Sequence, residues 1–98
     1  MTVYGVAQLT IRDRATYDRY SAMFLPTLRR HNGTLLVADD QPRVVEGRWD
    51  AQKIVIAAFD DEAAFERWYH SSAYRAIVGD RLAATHGPLI VAKGVRRT

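Results

Sequence analysis

Apolar residues recur along this chain first at a spacing of two, then at three to four, and each change of spacing marks a new element. From Val3 to Ile11 the residues alternate, with Val3, Ala7, Leu9 and Ile11 on one side and Tyr4, Val6, Gln8 and Thr10 on the other. Neither side is polar throughout, so this predicted strand is expected to be covered on both faces. Asp13 can cap the helix that follows, its carboxylate accepting free backbone N–H groups. The helical stripe runs through Tyr17, Tyr20, Ser21, Phe24, Leu25 and Leu28. Pro26 falls inside it and deletes the hydrogen bond to the Ala22 carbonyl. That predicts a break near Phe24–Leu25, then a short helical piece to His31, ended by Asn32-Gly33 in a left-handed turn.

Thr34 to Ala38 reads as a second strand and Asp39-Asp40-Gln41-Pro42 as a loop. Arg43 to Trp49 is expected to resume extended structure, as a hairpin arm or a strand continuation, before a turn at Asp50–Gln52. Lys53 to Phe59 is a third strand, apolar on both faces through Ile54, Val55 and Ile56. Asp60 or Asp61 caps the next helix, with Glu62 in its first turn matching the helix dipole. From Phe65 to Arg81 the spacing predicts two helices meeting at Ser71-Ser72. The first presents Phe65, Trp68 and Tyr69; the second presents Tyr74, Ile77, Val78 and then, on the same stripe, Arg81. After His86-Gly87-Pro88, Leu89 to Val95 is a fourth strand. The order is βαββαβ, that of an α+β, ferredoxin-like sandwich: an antiparallel sheet with helices on one face. Strands apolar on both sides then call for a second cover. A homodimer with its sheets face to face is the economical one.

Composition narrows the function classes. The 98 residues make room for one domain, spanning 1–98. No cysteine is present, which rules out a disulfide framework, a thiolate metal site and a cysteine nucleophile. No apolar run is long enough to span a bilayer, so no membrane partner is expected. Met1-Thr2-Val3-Tyr4 lead directly into the first strand with no basic stretch ahead of it, and a cytoplasmic protein is the expectation. The net charge of +3 is modest, and the basic residues are scattered apart from Arg29-Arg30 and Arg96-Arg97. Nucleic acid is not an expected partner. The third strand also lacks the glycine and paired aromatic residues with which such sheets stack bases.

Arg81 is the strongest anomaly, because an arginine on a buried stripe must find a partner. Its guanidinium reaches a pocket and binds a small organic anion, or forms a structural ion pair with Glu46 or Asp80, or snorkels to water with its stem packed on Tyr74. Glu46, beside Gly47, is either a general base with a raised pKa, the counter-ion of Arg81, or a surface turn residue. Tyr17, Tyr20 and Tyr74 offer hydroxyls to a ligand or lie tied off in the core; Trp68 and Tyr69 carry the same choice, with a dimer contact as a third. His70 ends a helix, as a base or a solvent-facing cap. Gln8 and Thr10 lie on the strand face away from the helices, where they line a cavity against a partner or satisfy one another across the dimer seam. Gly79, in mid-helix, suggests a close helix–strand approach. No metal-ligand spacing joins His31, His70 and His86. No G-x-G-x-x-G, Walker, G-x-S-x-G or H-E-x-x-H motif occurs. Neither a metal nor a cofactor is expected.

Several of these residues together resemble a family. Tyr17-x-x-Tyr20, Pro26 followed by Asn32-Gly33, Glu46-Gly47, Phe59 closing the third strand, and Trp68-Tyr69-x-Ser71-x-x-Tyr74 with Arg81 beyond occur in the order seen in the small bacterial proteins of domain of unknown function 1330. That group lies within the dimeric α/β-barrel superfamily of ferredoxin-like folds. The resemblance implies the fold and a homodimer, and no settled activity. Relatives in the wider group include cofactor-free monooxygenases, haem-degrading enzymes, lactone isomerases and polyketide cyclases. The residues themselves suggest cofactor-free proton transfer of isomerase or cyclase type, with Arg81 holding the developing enolate and Glu46 or His70 moving the proton, or else a non-catalytic ligand-binding or structural dimer module. The wider group adds, by analogy, a monooxygenase-like or haem-related activity, with His70 as an axial haem ligand. In the family the residue before the strand-closing phenylalanine is commonly acidic. Here it is Ala58, so if that carboxylate serves chemistry in the family, this protein lacks the step or takes its acid from Glu46.

Overall fold

The computed structural model of the chain describes residues 1–95. The elements are β1 (Val3–Ile11), α1 (Arg14–Arg30), β2 (Thr34–Asp39), β3 (Lys53–Phe59), α2 (Glu62–Tyr69), α3 (Ser72–Ala84), β4 (Thr85–His86) and β5 (Leu89–Lys93). Each helix starts on the side chain that the sequence offers for it. Asp13 accepts from the Thr16 N–H at 3.2 Å, Asp61 from Ala64 at 2.8 Å and Ser71 from Tyr74 at 3.1 Å. Asn32 takes the left-handed conformation, at φ 58°, just beyond α1.

The strands form one antiparallel sheet in the order β2-β3-β1-β4, with β5 also on β1. β4 pairs with Thr10–Ile11 and β5 with Val3–Ala7, so the two are halves of one strand beside β1. Gly87 and Pro88 make the split. Gly87 has φ +137°, and a Cβ there would run into the Gln8 carbonyl oxygen, so the position demands glycine. The sheet and its helices are those of the ferredoxin-like sandwich read from the sequence.

Three local expectations are corrected. α1 runs unbroken through Pro26. Ala22 and Pro26 both face solvent, where water can satisfy the freed carbonyl, and only the last turn lies beyond. Arg43 to Trp49 forms no strand among the described residues. Pro42 and the positive φ of Gly47 interrupt it, and Val44 and Val45 are exposed. The last strand ends at Lys93 rather than Val95.

Alternate residues of the central strands face the helices: Val3, Gly5, Ala7 and Leu9 of β1 opposite Phe59, Ala57, Val55 and Lys53 of β3. On this side lies the core, made of Leu28, Phe59, Phe65, Trp68, Tyr74, Val78 and their neighbours. The other side of the sheet carries Tyr4, Val6, Ile54, Ile56 and Ala58, all half-buried, and Ile90, which is 54% exposed. The molecule measures 39 × 38 × 16 Å, two layers thick, so its apolar outer sheet face is uncovered in the single chain. No helix among the described residues is long and apolar enough to cross a membrane.

Candidate functional site

Where β1 and β3 face the helices their side chains are small. Gly5, Ala7 and Ala57 occupy the middle of the sheet, where a packed core would place valine or isoleucine. Phe65 and Phe59 close over Gly5, at 3.4 and 3.7 Å from where a Cβ would stand; beside them, over Ala7 and Ala57, there remains a cavity of about 200 Å³ between the sheet and the pair α1 and α3. Its floor is Gly5, Ala7, Leu9, Val55 and Ala57; its roof is Tyr17, Tyr20 and Phe24 of α1 with Tyr74 and Arg81 of α3. Ser21 and Ala38 are lining residues that are also exposed, which puts the opening between α1 and the edge strand β2.

Arg81 reaches this cavity because Tyr74, Val78 and Arg81 form one buried stripe of α3 at helical spacing. Arg81 is only 6% exposed, and its Nε is buried without a hydrogen-bond partner. No carboxylate among the described residues forms a salt bridge with it. The neighbouring Asp80 turns outward instead, and Arg19 of α1 clasps it through Nε at 2.8 Å and Nη2 at 2.9 Å. Those contacts hold the Asp80 carboxyl below its ordinary value.

Tyr20 and Tyr74 meet hydroxyl to hydroxyl at 2.8 Å, buried. One hydrogen of the two serves that bond, which leaves the other to donate elsewhere. Burial pushes the Tyr20 phenol far above its ordinary pKa; the Tyr74 phenol adds to this and the Arg81 guanidinium opposes it. Tyr17 is raised as well, by burial first and then by the Asp40 carboxylate, with Arg14 and Arg81 pulling the other way. Both phenols therefore stay protonated through neutral pH and act as donors. Lys53, which the sequence reading passed over, lines the cavity beside Tyr17, its Nζ 5.3 Å from the ring centroid and 3.3 Å from Asp40.

Beyond the tyrosines the rings run on as Trp68, Phe59 and Phe65, with Trp68 and Tyr74 centroids 4.1 Å apart and Phe59 and Phe65 5.3 Å apart. The Trp68 indole N–H donates to the Thr27 hydroxyl at 3.1 Å, so only its ring is available to a ligand. The structure thus brings Arg81, Tyr17, Tyr20, Tyr74 and Trp68 around one cavity. It does not bring the others there. Glu46 is exposed in the segment between β2 and β3, too far out to answer Arg81 or supply the acid absent at Ala58. His70 is exposed and pairs with Glu66 at 3.0 Å, one turn back on its own helix. Gln8 is exposed on the outer face of the sheet, because odd positions of β1 point to the helices and even ones away. Gly79 has no neighbour within 4 Å of an added Cβ, so no strand approaches it. No carboxylate and no imidazole lines the cavity. No cluster of three or more potential metal ligands occurs among the described residues.

The chain belongs to the family described as Domain of unknown function (DUF1330), which it matches over residues 2–95. No curated protein matches it. Among solved structures it is similar to a protein of unknown function from Rhodopseudomonas palustris, at 20% identity and a TM-score of 0.81, covering 98% of this chain and 84% of that one. It is also similar to SnoaB, a cofactor-independent oxygenase from Streptomyces nogalater, at 17% identity and a TM-score of 0.72, with 99% and 95% covered. A dabb family protein with a ferredoxin-like fold from Mesorhizobium loti aligns at 15% identity and a TM-score of 0.63, over 97% and 98%. At such identities the likeness is one of fold, and function has to be argued from the site.

Proposed function

We propose that this protein binds a small organic anion in the cavity between its sheet and α1 and α3, with Arg81 as the anchoring cation. The observation that carries this is the state of Arg81: a guanidinium buried beside a cavity with no protein carboxylate to answer it. Burying a charge without a partner is costly, and a bound anion is the partner the site lacks. The rest of the lining agrees. Arg81 and the spare hydroxyl hydrogen of the Tyr20–Tyr74 pair are donors, and the cavity holds no carboxylate to compete for them.

Catalysis through a protein base has little support in this geometry, since Glu46 and His70 lie outside the cavity. A donor array facing a bound anion can nonetheless stabilise negative charge that develops on the ligand itself. The fold likeness to a cofactor-independent oxygenase makes chemistry of that kind the second reading. A second copy of the chain is the proposed cover for the outer sheet face, whose Tyr4, Val6, Ile54, Ile56 and Ile90 would be buried by a two-fold partner. The test of the binding reading is thermal shift against a panel of small carboxylates and matched neutral amides. Acids should raise the melting temperature of the wild type and leave Arg81→Met unmoved. Equal shifts in both proteins, or shifts from the amides as large as from the acids, overturn it.

A further inference from the structure

Among the described residues that line the cavity, two are charged, Arg81 and Lys53, and their circumstances differ. Arg81 has no carboxylate partner among the described residues. Lys53 has one, Asp40, which its Nζ meets at 3.3 Å. The register of β2 on β3 brings the pair together. Ala38 stands beside Val55 and Asp39 beside Ile54, so Asp40 comes alongside Lys53. The two are unequally placed: the Lys53 side chain is 11% exposed and that of Asp40 59%. Asp40 thus stands at the opening, two residues past Ala38, with Lys53 on its cavity side. Arg14, at the start of α1, approaches Asp40 to 4.0 Å but lies as near to Asp18, at 3.7 Å. Arg14 and Lys53 against Asp18 and Asp40 make a neutral set.

A second anionic group on a ligand held at Arg81 would therefore find no free cation at the opening, and would come up against the Asp40 carboxylate. Like charges brought together suppress the wrong partner, and specificity is built from such repulsion as well as from attraction. The carboxylate is felt inside the cavity. The Tyr17 phenol is raised first by burial and next by Asp40, with Arg14 and Arg81 opposing. Resting on the anion-binding reading above, we infer that Asp40 is a specificity-determining residue, which by holding Lys53 restricts the ligand to a monoanion. Elsewhere the lining is mostly apolar, with Phe24, Leu25, Leu35 and Val55, so the ligand is a singly charged acid with an apolar body. Asp40 is a positioning residue in this scheme, acting through Lys53. Lys53 carries three donors on a flexible stem, and becomes a second anion-binding cation once Asp40 is removed.

The test is a titration series followed by two-dimensional amide NMR of the whole chain at neutral pH. The probes are succinate, glutarate and adipate, each beside its monomethyl and dimethyl esters, so that each trio shares a carbon chain and differs chiefly in charge. The wild type should bind each monomethyl ester about tenfold more tightly than its dicarboxylate. Asp40→Asn should abolish or invert that preference for at least one chain length. Adding Lys53→Met to it should bring the preference back, which a merely structural role for Asp40 does not produce. Asp40→Ser takes the place of Asp40→Asn if that variant does not fold. Dicarboxylates binding the wild type as tightly as the monoesters, a preference unchanged in Asp40→Asn, or a double variant behaving as Asp40→Asn alone overturns the role given to Asp40. The anion reading then still stands if Arg81→Met abolishes binding. Dimethyl esters matching the monoesters overturn the anion reading itself. Binding of none of the probes at millimolar concentration overturns both.

Discussion

Replacing Arg81 by methionine should make the protein more stable. Methionine keeps most of the apolar stem and removes the guanidinium. In the wild type that group is 6% exposed, its Nε has no partner, and no carboxylate of the described residues pairs with it. A buried polar group left without a hydrogen bond costs about 1–3 kcal/mol, and exchanging buried charge for apolar residues of similar volume gains about 1–4 kcal/mol in favourable cases. A gain of about 1–3 kcal/mol is therefore expected for Arg81→Met. For a domain of this size each kcal/mol moves the melting temperature by about 4–8 °C. The assay is urea unfolding in a buffer free of carboxylates, at one fixed protein concentration so that any association is held constant. Ligand should reverse the ranking, since an anion at a thousandfold excess over its Kd adds about 4.1 kcal/mol to the wild type and nothing to the variant. A loss of more than about 1 kcal/mol in Arg81→Met without ligand would refute the reasoning, because it would show that Arg81 knits the fold.

Gly79 lies within α3 with open space around the position of a Cβ, so Gly79→Ala should stabilise by about 0.5–1 kcal/mol, read as a higher urea midpoint with an unchanged slope. The Asp80 carboxyl is held below its ordinary value by Arg19, so its contribution is fully present above the unfolded value near pH 4 and is lost as the pH falls through the lower folded one. Asp80→Asn should flatten the acid limb of stability against pH; an unchanged limb would mean the pair is inert. Tyr20 shifts the other way, upward, so it adds stability below about pH 10 that is lost as the pH rises further. Tyrosinate absorbance should show one phenol withheld from alkaline titration until the chain unfolds, and Tyr20→Phe should remove that delayed step.

The fold was legible because period and capping agree. Alternation in β1 and β3, the Asp13, Asp61 and Ser71 caps, and the Asn32 stop are local signals, and tertiary packing left them intact. Pro26 misled because its penalty depends on where the freed carbonyl points, which the sequence does not state. Arg43–Trp49 misled because its apolar pair, Val44-Val45, satisfies a strand pattern while no neighbouring strand is there to pair with it. At the site, Arg81 and the three tyrosines were legible as a helical stripe carrying a charge. Glu46 and Gln8 were not separable from them, since facing direction across a loop or a strand is set by register. Lys53 and the aromatic end went unread, although a signal existed. The inward positions of β1 and β3 read Gly5 and Ala7, then Ala57, small where β propensity favours bulk, with Lys53 on the same side.

That row of small residues places the dimensions of the cavity in the sheet and its chemistry in the helices. Ala7 and Ala57 belong to the two central strands, where backbone hydrogen bonds are most complete and a longer side chain changes no ladder contact. Arg81, Tyr17, Tyr20 and Tyr74 belong to α1 and α3. One methyl group on the floor can then change which ligand fits without disturbing what holds it, and a change on the roof can alter the charge preferred without altering the room. Within a family of this fold, size preference and charge preference are free to diverge independently, each by single substitutions.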